Sequence, residues 1–139
     1  AISTDPENHD LMCHLRAEEV AKIPVPDVEV QGCADDADLL IVGFGGTYGH
    51  LYSAMEEMNK AGKKVALAHF TYLNPLPKNT ETVLKKYKKV VVAEQNLGQF
   101  AGYLRMKIDN FTPYQFNEVK GQPFVVAELV AAFNKLIDN

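Results

Sequence analysis

Short apolar runs alternate with amphipathic stretches along most of the chain. Three nearly continuous apolar runs are typical of strands that are covered on both faces: residues 38–42, 65–68 and 90–93. Between and after them, apolar positions recur at helical spacing, in residues 51–58, 83–87, 100–108 and 126–137. Strands that alternate with helices favour parallel pairing through right-handed crossovers. The pattern therefore predicts a three-layer α/β/α sandwich.

Two further stretches alternate apolar and polar residues, as half-buried edge strands do. Val28–Val30 is one, and Tyr114–Val119 is the other. The helix that contains residues 83–87 is predicted to begin at Thr80, because a hydroxyl side chain is typical of a helix N-cap. Gly62 is predicted to end the helix that precedes the second buried strand.

Residues 1–27 are predicted to form a helix and a connecting segment instead of part of the sheet. Asp5-Pro6-Glu7 is typical of a helix start, because a carboxylate cap precedes Pro at the first helical position. Ile23-Pro24-Val25-Pro26 is expected to stop that helix, since Pro lacks a backbone N–H. We therefore interpret residues 1–27 as an N-terminal helix and a Pro-containing interdomain connection, and residues 28–139 as the packed α/β domain.

Composition places the chain among globular domains. Its 139 residues, 47% of them apolar, fit one domain with a core of its own. No apolar run approaches the roughly 20 residues that cross a bilayer, and no signal peptide is recognisable. Because the first residue is Ala1, we expect a piece of a longer polypeptide.

The net charge of −4 argues against a nucleic-acid partner. The charge is uneven, with ten acidic and two basic residues in 1–38, and eight acidic and twelve basic residues in 39–139. Solvated faces are the simpler interpretation of this asymmetry, and electrostatic steering of a partner is the alternative.

Only two cysteines, Cys13 and Cys33, are present. An iron–sulfur cluster takes about four thiolates, so we expect no cluster held by this chain alone. Two unpaired thiols in a reducing compartment, the cytoplasm, are the simpler interpretation. His9 and Cys13 are four residues apart on the first predicted helix, but His14 does not share their face, so we expect no metal site there.

Candidate chemistry collects in three loops that follow buried strands, where ligands bind in open α/β sheets. The first loop, Gly43–Gly49, has glycines that let the backbone turn tightly and approach closely. Its GxGGxxG spacing differs from the dinucleotide fingerprint, and no Gly-Lys-Ser/Thr follows to make a P-loop. A tight strand-to-helix turn or a packed domain contact is the favoured interpretation, followed by an anion or phosphate site and then by a surface for a partner subunit. The weak anion-site candidates are Gly43, Gly45, Gly46, Thr47 and Gly49.

The second and third loops are His69–Pro77 and Glu94–Gln99. Two prolines, Pro75 and Pro77, stiffen the second loop, which suits contact with another domain. His69 has no partner visible in the sequence, so a structural role is favoured over that of a base or ligand. The polar residues of the third loop are interpreted as helix caps and braces between loops, because a single carboxylate is weak evidence for acid–base chemistry.

Five stretches, which together run from about Asp5 to Lys135, resemble one family when they are taken in order. They are Asp5-Pro6-Glu7-Asn8-His9 with Leu15-Arg16-Ala17-Glu18 and Lys22; Leu40-Ile41-Val42-Gly43-Phe44-Gly45-Gly46-Thr47-Tyr48-Gly49; Tyr72-Leu73-Asn74-Pro75-Leu76-Pro77-Lys78-Asn79; Val92-Ala93-Glu94-Gln95-Asn96-Leu97-Gly98-Gln99 with Leu104-Arg105; and Gly121-Gln122-Pro123-Phe124. In this order they resemble the carboxyl-terminal part of the alpha subunit of 2-oxoglutarate:ferredoxin oxidoreductase, also called 2-oxoglutarate synthase.

The resemblance implies the fold of the transketolase carboxyl-terminal domain, with five strands in the order 1-3-2-4-5 and the first strand antiparallel. It implies an oxidoreductase that uses thiamine diphosphate and Mg²⁺ to decarboxylate a 2-oxoacid, passes electrons through iron–sulfur clusters to ferredoxin, and releases acyl-CoA from CoA. The family places these cofactors on other domains or chains, namely the upstream part of the alpha subunit and the beta subunit. One departure is Phe44-Gly45-Gly46, where the family is expected to have Trp-Gly-Ser.

The family assigns no catalytic, cofactor-binding or metal-binding residue to this segment, so we expect an isolated chain to be inactive. We expect the three loops to form an assembly surface that supports the cofactor-binding domains, because Gly and Pro leave little entropy to lose on docking and aromatic residues favour interfaces. The interface candidates are Tyr48, Tyr72, Asn74, Pro75, Pro77, Glu94, Gln95, Asn96, Gly98 and Gln99. The alternative is a free-standing nucleotide- or phosphate-binding module that uses Gly43–Gly49.

Overall fold

Strands and helices alternate along the residues that the structure, a computed structural model, describes: 25–95, 98–118 and 123–139. In chain order the elements are β1 (Val30–Gly32), β2 (Leu39–Phe44), α1 (Tyr48–Lys60), β3 (Val65–Phe70), α2 (Thr80–Lys86), β4 (Val90–Glu94), α3 (Gln99–Lys107), β5 (Tyr114–Asn117) and α4 (Val126–Asp138). A short 3₁₀ turn, Gly45–Thr47, joins β2 to α1.

The five strands form one sheet in the order β1-β3-β2-β4-β5. Four of them are parallel, while β1 pairs with β3 in the antiparallel direction. Both the strand order and the antiparallel first strand confirm the expectation from the family resemblance. In the register of β1, Val30 lies opposite Ala68, so the start of β1 lies near the carboxyl end of β3.

Helices cover both faces of the sheet and confirm the three-layer prediction. Alternate residues of β2, β3 and β4 point to opposite faces and are buried on both. Leu39 and Ile41 pack in one core with α1 and α4, and Leu40 and Val42 pack in the other with α2 and α3. Each central strand is therefore enclosed by apolar side chains on both sides.

Strand boundaries differ from the predicted ones at the edges of the apolar runs. β2 and β3 continue to Phe44 and Phe70, because Gly43 and Phe44 still pair with the end of β3. The predicted first edge strand starts two residues too early: Val28 is buried, but its backbone N–H and C=O are both bonded to the side chain of Asn79 instead of to a strand. β5 ends at Asn117, two residues before the predicted end.

Thr80 does not cap α2. It is the first residue of that helix, and its buried hydroxyl donates to the carbonyl of Pro77 at 2.6 Å. The prediction of an N-cap was therefore wrong, because the hydroxyl satisfies the turn before the helix rather than a free N–H in its first turn. The predicted N-terminal helix, with His9, Cys13 and His14, lies outside the described residues.

Two asparagine side chains hold extended backbone in place. Asn59 of α1 accepts the N–H of Val65 at 2.8 Å and donates to the Val65 carbonyl at 3.1 Å. Asn79 accepts the N–H of Val28 and donates to its carbonyl, both at 2.9 Å. In each case the amide occupies the place of a neighbouring strand, since it offers one donor and one acceptor to the same residue. Asn79 thereby fixes the stretch that leads into β1.

Candidate functional site

The three predicted loops meet at one edge of the sheet. Their strands β3, β2 and β4 are neighbours and run in parallel, so their carboxyl ends lie side by side. Three phenylalanine rings join this edge: the Phe100 ring, in the first turn of α3, lies 4.7 Å from that of Phe44 and 5.6 Å from that of Phe70, between ring centroids. Tyr103 of α3 also donates its hydroxyl to the carbonyl of Leu73 at 2.7 Å. We call this joined edge the carboxyl-edge surface.

The glycine-rich loop folds as a 3₁₀ turn followed by the first turn of α1. A Cβ at Gly43 would overlap Cδ1 of Leu51, so any larger residue there would have to displace this buried side chain of α1. Gly45 has a φ of 69°, which favours Gly. The hydroxyl of Thr47 donates to the carbonyl of Phe44 at 3.0 Å and closes the turn. Packing and turn geometry thus account for Gly43 and Gly45, as the favoured interpretation expects, and anion binding by this loop stays a prediction.

A cleft of about 760 Å³ opens at the carboxyl end of β3. The stretch before β1 lines it with Asp27 and Glu29, and the end of β3 and the loop that follows line it with His69 and Tyr72. Tyr48 also lines the cleft, and its hydroxyl donates to Oε1 of Gln31 at 3.0 Å. Because Asn79 fixes Val28, the stretch with Asp27 and Glu29 is held to the segment that leads into α2.

His69 is part of the cleft wall but is packed as a structural residue. Its ring meets that of Tyr48 edge-on, with 5.1 Å between centroids, and its Nε2 is buried without a hydrogen-bond partner in the described part of the protein. Burial lowers the pKa of His69 below its ordinary value of 6.5, and a hydrogen bond with the backbone of Gly45 opposes this only in part. The imidazole is therefore neutral at neutral pH.

Glu94, at the end of β4, is fully buried and caps α3. Its two carboxylate oxygens accept the backbone N–H groups of Phe100 and Ala101 at 2.9 and 3.0 Å. These groups lie in the first turn of the helix, where a negative charge is also favoured by the helix dipole. Capping was the favoured interpretation of this loop, and the geometry bears it out for Glu94.

The interface candidates divide into exposed and enclosed residues. Tyr48 and Tyr72 each keep 38% of their surface exposed, which is unusual for large aromatic side chains. Asn74, Gln95 and Gln99 are exposed as well, Pro75 and Gly98 are half-buried, and Pro77 and Glu94 are buried. Asn96 lies outside the described residues. The peptide bond between Asn74 and Pro75 is cis.

Two residues that line the cleft, Asp27 and Glu29, were not singled out as functional from the sequence, and neither was Asn79, which fixes the residue between them. The alternation around Val28 indicated an edge strand rather than a site, and Asn79 acts on a residue 51 positions away. The one available signal was that Asn79 lies in a stretch that matches the family.

The described residues contain neither a cluster of metal ligands nor a membrane-spanning helix. Within residues 25–95, 98–118 and 123–139, no group of three or more His, Cys, Asp or Glu side chains is placed to hold a metal ion. None of the helices in this part of the chain is long and apolar enough to cross a membrane. Cys33 is a free thiol.

A family model matches the strands and loops that build the carboxyl-edge surface. Residues 37–126 match pyruvate:ferredoxin oxidoreductase core domain II. The chain belongs to this family. Among curated proteins, 2-oxoglutarate oxidoreductase subunit KorA of Mycobacterium tuberculosis is 45% identical over 130 residues, which are 92% of this chain and 19% of the relative. The alpha subunit of 2-oxoacid:ferredoxin oxidoreductase 1 of Aeropyrum pernix is 30% identical over 146 residues, 99% of this chain and 23% of the relative. The chain thus spans about one fifth of the length of the curated relatives it matches.

Solved structures agree with this assignment. The 2-oxoglutarate:ferredoxin oxidoreductase from Magnetococcus marinus, solved with 2-oxoglutarate, coenzyme A and succinyl-CoA bound, matches with a TM-score of 0.78 and 28% identity over 96% of this chain and 24% of that one. The alpha chain of a probable 2-oxoacid ferredoxin oxidoreductase from Thermoplasma acidophilum shares the fold, with a TM-score of 0.57 and 17% identity over 81% of this chain and 98% of that one. The family resemblance stated from the sequence is confirmed.

Removing the charge of Glu94 is expected to destabilise the α/β domain. In Glu94→Gln one acceptor oxygen is lost, so the N–H of Phe100 or Ala101 stays buried without a partner, which costs about 1–3 kcal/mol. Urea titration should show this loss in the free energy of unfolding, and a larger one in Glu94→Ala. Glu81→Gln, an exposed acid in the first turn of α2, is the control. A loss no larger than that of the control would contradict the capping role.

Burial of His69 predicts a pH-dependent stability. The unfolded chain protonates this imidazole near pH 6.5, whereas the folded chain does so only at lower pH, so the stability present above pH 6.5 is lost as the pH falls through and below that value. We expect the urea midpoint of the wild-type chain to fall more between about pH 7.5 and about pH 5.5 than that of His69→Gln. His50→Gln, at an exposed position, should follow the wild type. Parallel curves for wild type and His69→Gln would refute the prediction.

Proposed function

We propose that this core domain is a non-catalytic part of the alpha subunit of a thiamine-diphosphate-dependent 2-oxoacid:ferredoxin oxidoreductase, and that it supports subunit assembly. The observation that carries the proposal is the match at 45% identity to a 2-oxoglutarate oxidoreductase subunit, together with the match over 96% of the chain to a 2-oxoglutarate:ferredoxin oxidoreductase. The names of these relatives favour 2-oxoglutarate as the 2-oxoacid.

In the proposed enzyme, a 2-oxoacid, CoA and oxidised ferredoxin are converted to acyl-CoA, CO₂ and reduced ferredoxin. Thiamine diphosphate, Mg²⁺ and iron–sulfur clusters serve this reaction on other domains or chains, in the upstream part of the alpha subunit and in the beta subunit. The residues of this chain bind none of these groups in the proposal, so the isolated chain is inactive. Residues 1–27 connect the core domain to the upstream part, and the enzyme works in the cytoplasm.

The carboxyl-edge surface is the part that we assign to assembly. Its scaffold is rigid, because Glu94 holds α3 to the end of β4, and Tyr103 holds α3 to the second loop. A rigid surface loses little conformational entropy when a partner docks. Tyr48 and Tyr72 are exposed on it, and tyrosine is among the residues that are enriched in interfaces.

Truncation of Tyr72 tests the assembly role in the full-length alpha subunit with its beta subunit. Because Tyr72 is 38% exposed and makes no hydrogen bond, ion pair or ring contact within the described part of the chain, we expect Tyr72→Ala to change the melting temperature little and to raise the dissociation constant of the subunit complex about tenfold. The complex is followed by sedimentation velocity, and turnover of 2-oxoglutarate should fall in proportion to the complex lost.

Tyr114→Ala is the matched control, since Tyr114 is similarly exposed, at 43%, but lies at the start of β5, away from the carboxyl edge. It should assemble as the wild type does. If Tyr72→Ala assembles and turns over normally, the carboxyl-edge surface is internal scaffolding and the assembly role is wrong.

A further inference from the structure

We propose that Asn79 is a positioning residue, which fixes the direction in which the connection to the upstream part of the subunit leaves the α/β domain. Its side-chain amide accepts the N–H of Val28 and donates to the C=O of Val28, both at 2.9 Å. Val28 directly follows the segment 1–27, which joins the two parts in the proposed function. The role of Asn79 rests on that function, which supplies the upstream part that is positioned.

The side chain of Asn79 is not used for its own helix. Asn79 is at the N-cap of α2, and its C=O accepts the N–H of Val83 at 2.9 Å, as the carbonyl of an N-cap residue does. Asparagine at this position commonly caps the helix with its side chain, yet that of Asn79 makes no such bond. Its donor and its acceptor both go to a residue 51 positions earlier in the chain. The amide thus ties the start of α2 to the stretch through which the chain enters the domain.

This tie lies outside the hydrogen-bonded part of the sheet. β1 pairs with β3 from Val30 onwards, so Val28 comes two residues before the first paired residue. The side chain of Val28 is buried in the core on the α2 and α3 face, which holds the stretch against the domain. Apolar burial has no preferred direction, whereas hydrogen bonds are directional. The two bonds to Asn79 therefore set the orientation of the backbone at Val28.

Proline carries this orientation away from the domain. Pro26 comes two residues before Val28, and its ring holds φ near −65°. The residue before it, Val25, is restricted to extended backbone, and a second proline stands at position 24. Proline-containing segments are semi-rigid spacers, so a direction set at Val28 is kept over several residues. Because the start of β1 lies near the carboxyl end of β3, this direction leads away on the side of the carboxyl-edge surface.

The test compares two asparagines that make the same pair of hydrogen bonds. Asn59 bonds to the N–H and the C=O of Val65, the first residue of β3, as Asn79 does to those of Val28. Both Asn59→Ala and Asn79→Ala remove a donor and an acceptor from extended backbone, but only Asn79→Ala frees the connection. Each is introduced into the full-length alpha subunit, assembled with its beta subunit. Spin labels then report the distance between the two parts by double electron–electron resonance. One label is carried by a genetically encoded ketone side chain in place of Lys135, which is exposed on α4, and the other by an exposed position of the upstream part.

We expect a narrow distribution of distances in the wild type and in Asn59→Ala. In Asn79→Ala the distribution should be about twofold broader, because a freed segment samples many directions. Asn79→Ser should be as broad as Asn79→Ala, since serine can cap α2 but its single short hydroxyl cannot bond to both groups of Val28. Turnover of 2-oxoglutarate should fall more in the two Asn79 variants than in Asn59→Ala.

Equal widths in Asn79→Ala and Asn59→Ala would overturn the positioning role, whether both distributions stay narrow or both broaden. If that result is found while Tyr72→Ala still weakens assembly, the positioning role is wrong and the assembly surface stands. A wild-type complex that does not turn over 2-oxoacids would instead count against the proposed function, and the comparison of distances would still decide whether Asn79 directs the connection.

Discussion

Burial of both faces of β2, β3 and β4 is the constraint on which the rest of the structure depends. A strand with apolar side chains on both faces needs a helix layer on each side, and this chain supplies α1 and α4 for one face and α2 and α3 for the other. Parallel strands must then be joined by crossovers, so each connection leaves at the carboxyl edge and returns at the amino edge. The buried polar side chains of the described residues, those of Thr47, Thr80 and Glu94, each bond to a backbone group. Thr47 and Glu94 lie at the carboxyl edge of the sheet.

The polar residues at that edge have two different tasks. Glu94, Thr47 and Asn79 are turned inward, where they bond to backbone N–H and C=O groups that the sheet and the helices leave unsatisfied. Tyr72 and Asn74 are turned outward and exposed. The inward group keeps the loops in one conformation, so that the outward group can present a fixed surface. In the assembly role that we propose, substitutions in the two groups should therefore act on different quantities, namely stability and association.

The central part of the fold was predictable because one physical signal, the unbroken apolar run, marks each buried strand. Strand ends were less predictable, since β2 continues through Gly43, a residue with low strand propensity whose missing side chain leaves room for Leu51. The stretch before β1 looked like a strand because its alternation is real: Val28 is buried between two exposed acids. What the alternation does not reveal is that an asparagine takes the place of the neighbouring strand. The cleft could not be predicted from the sequence either, because residues far apart in the chain form it.

The antiparallel direction of β1 has a consequence for how the molecule is connected. Val30 lies opposite Ala68, so the polypeptide arrives at β1 from the side where the loops project. A parallel strand in the same place would instead start opposite Ala66, roughly 7 Å nearer the amino edge. The residues that lead into β1 and the surface that we propose for assembly are thus on the same side of the sheet. In the enzyme that we propose, contacts between the upstream part of the subunit and this surface are made within one polypeptide, so contacts that are individually weak are enough to keep the two parts together.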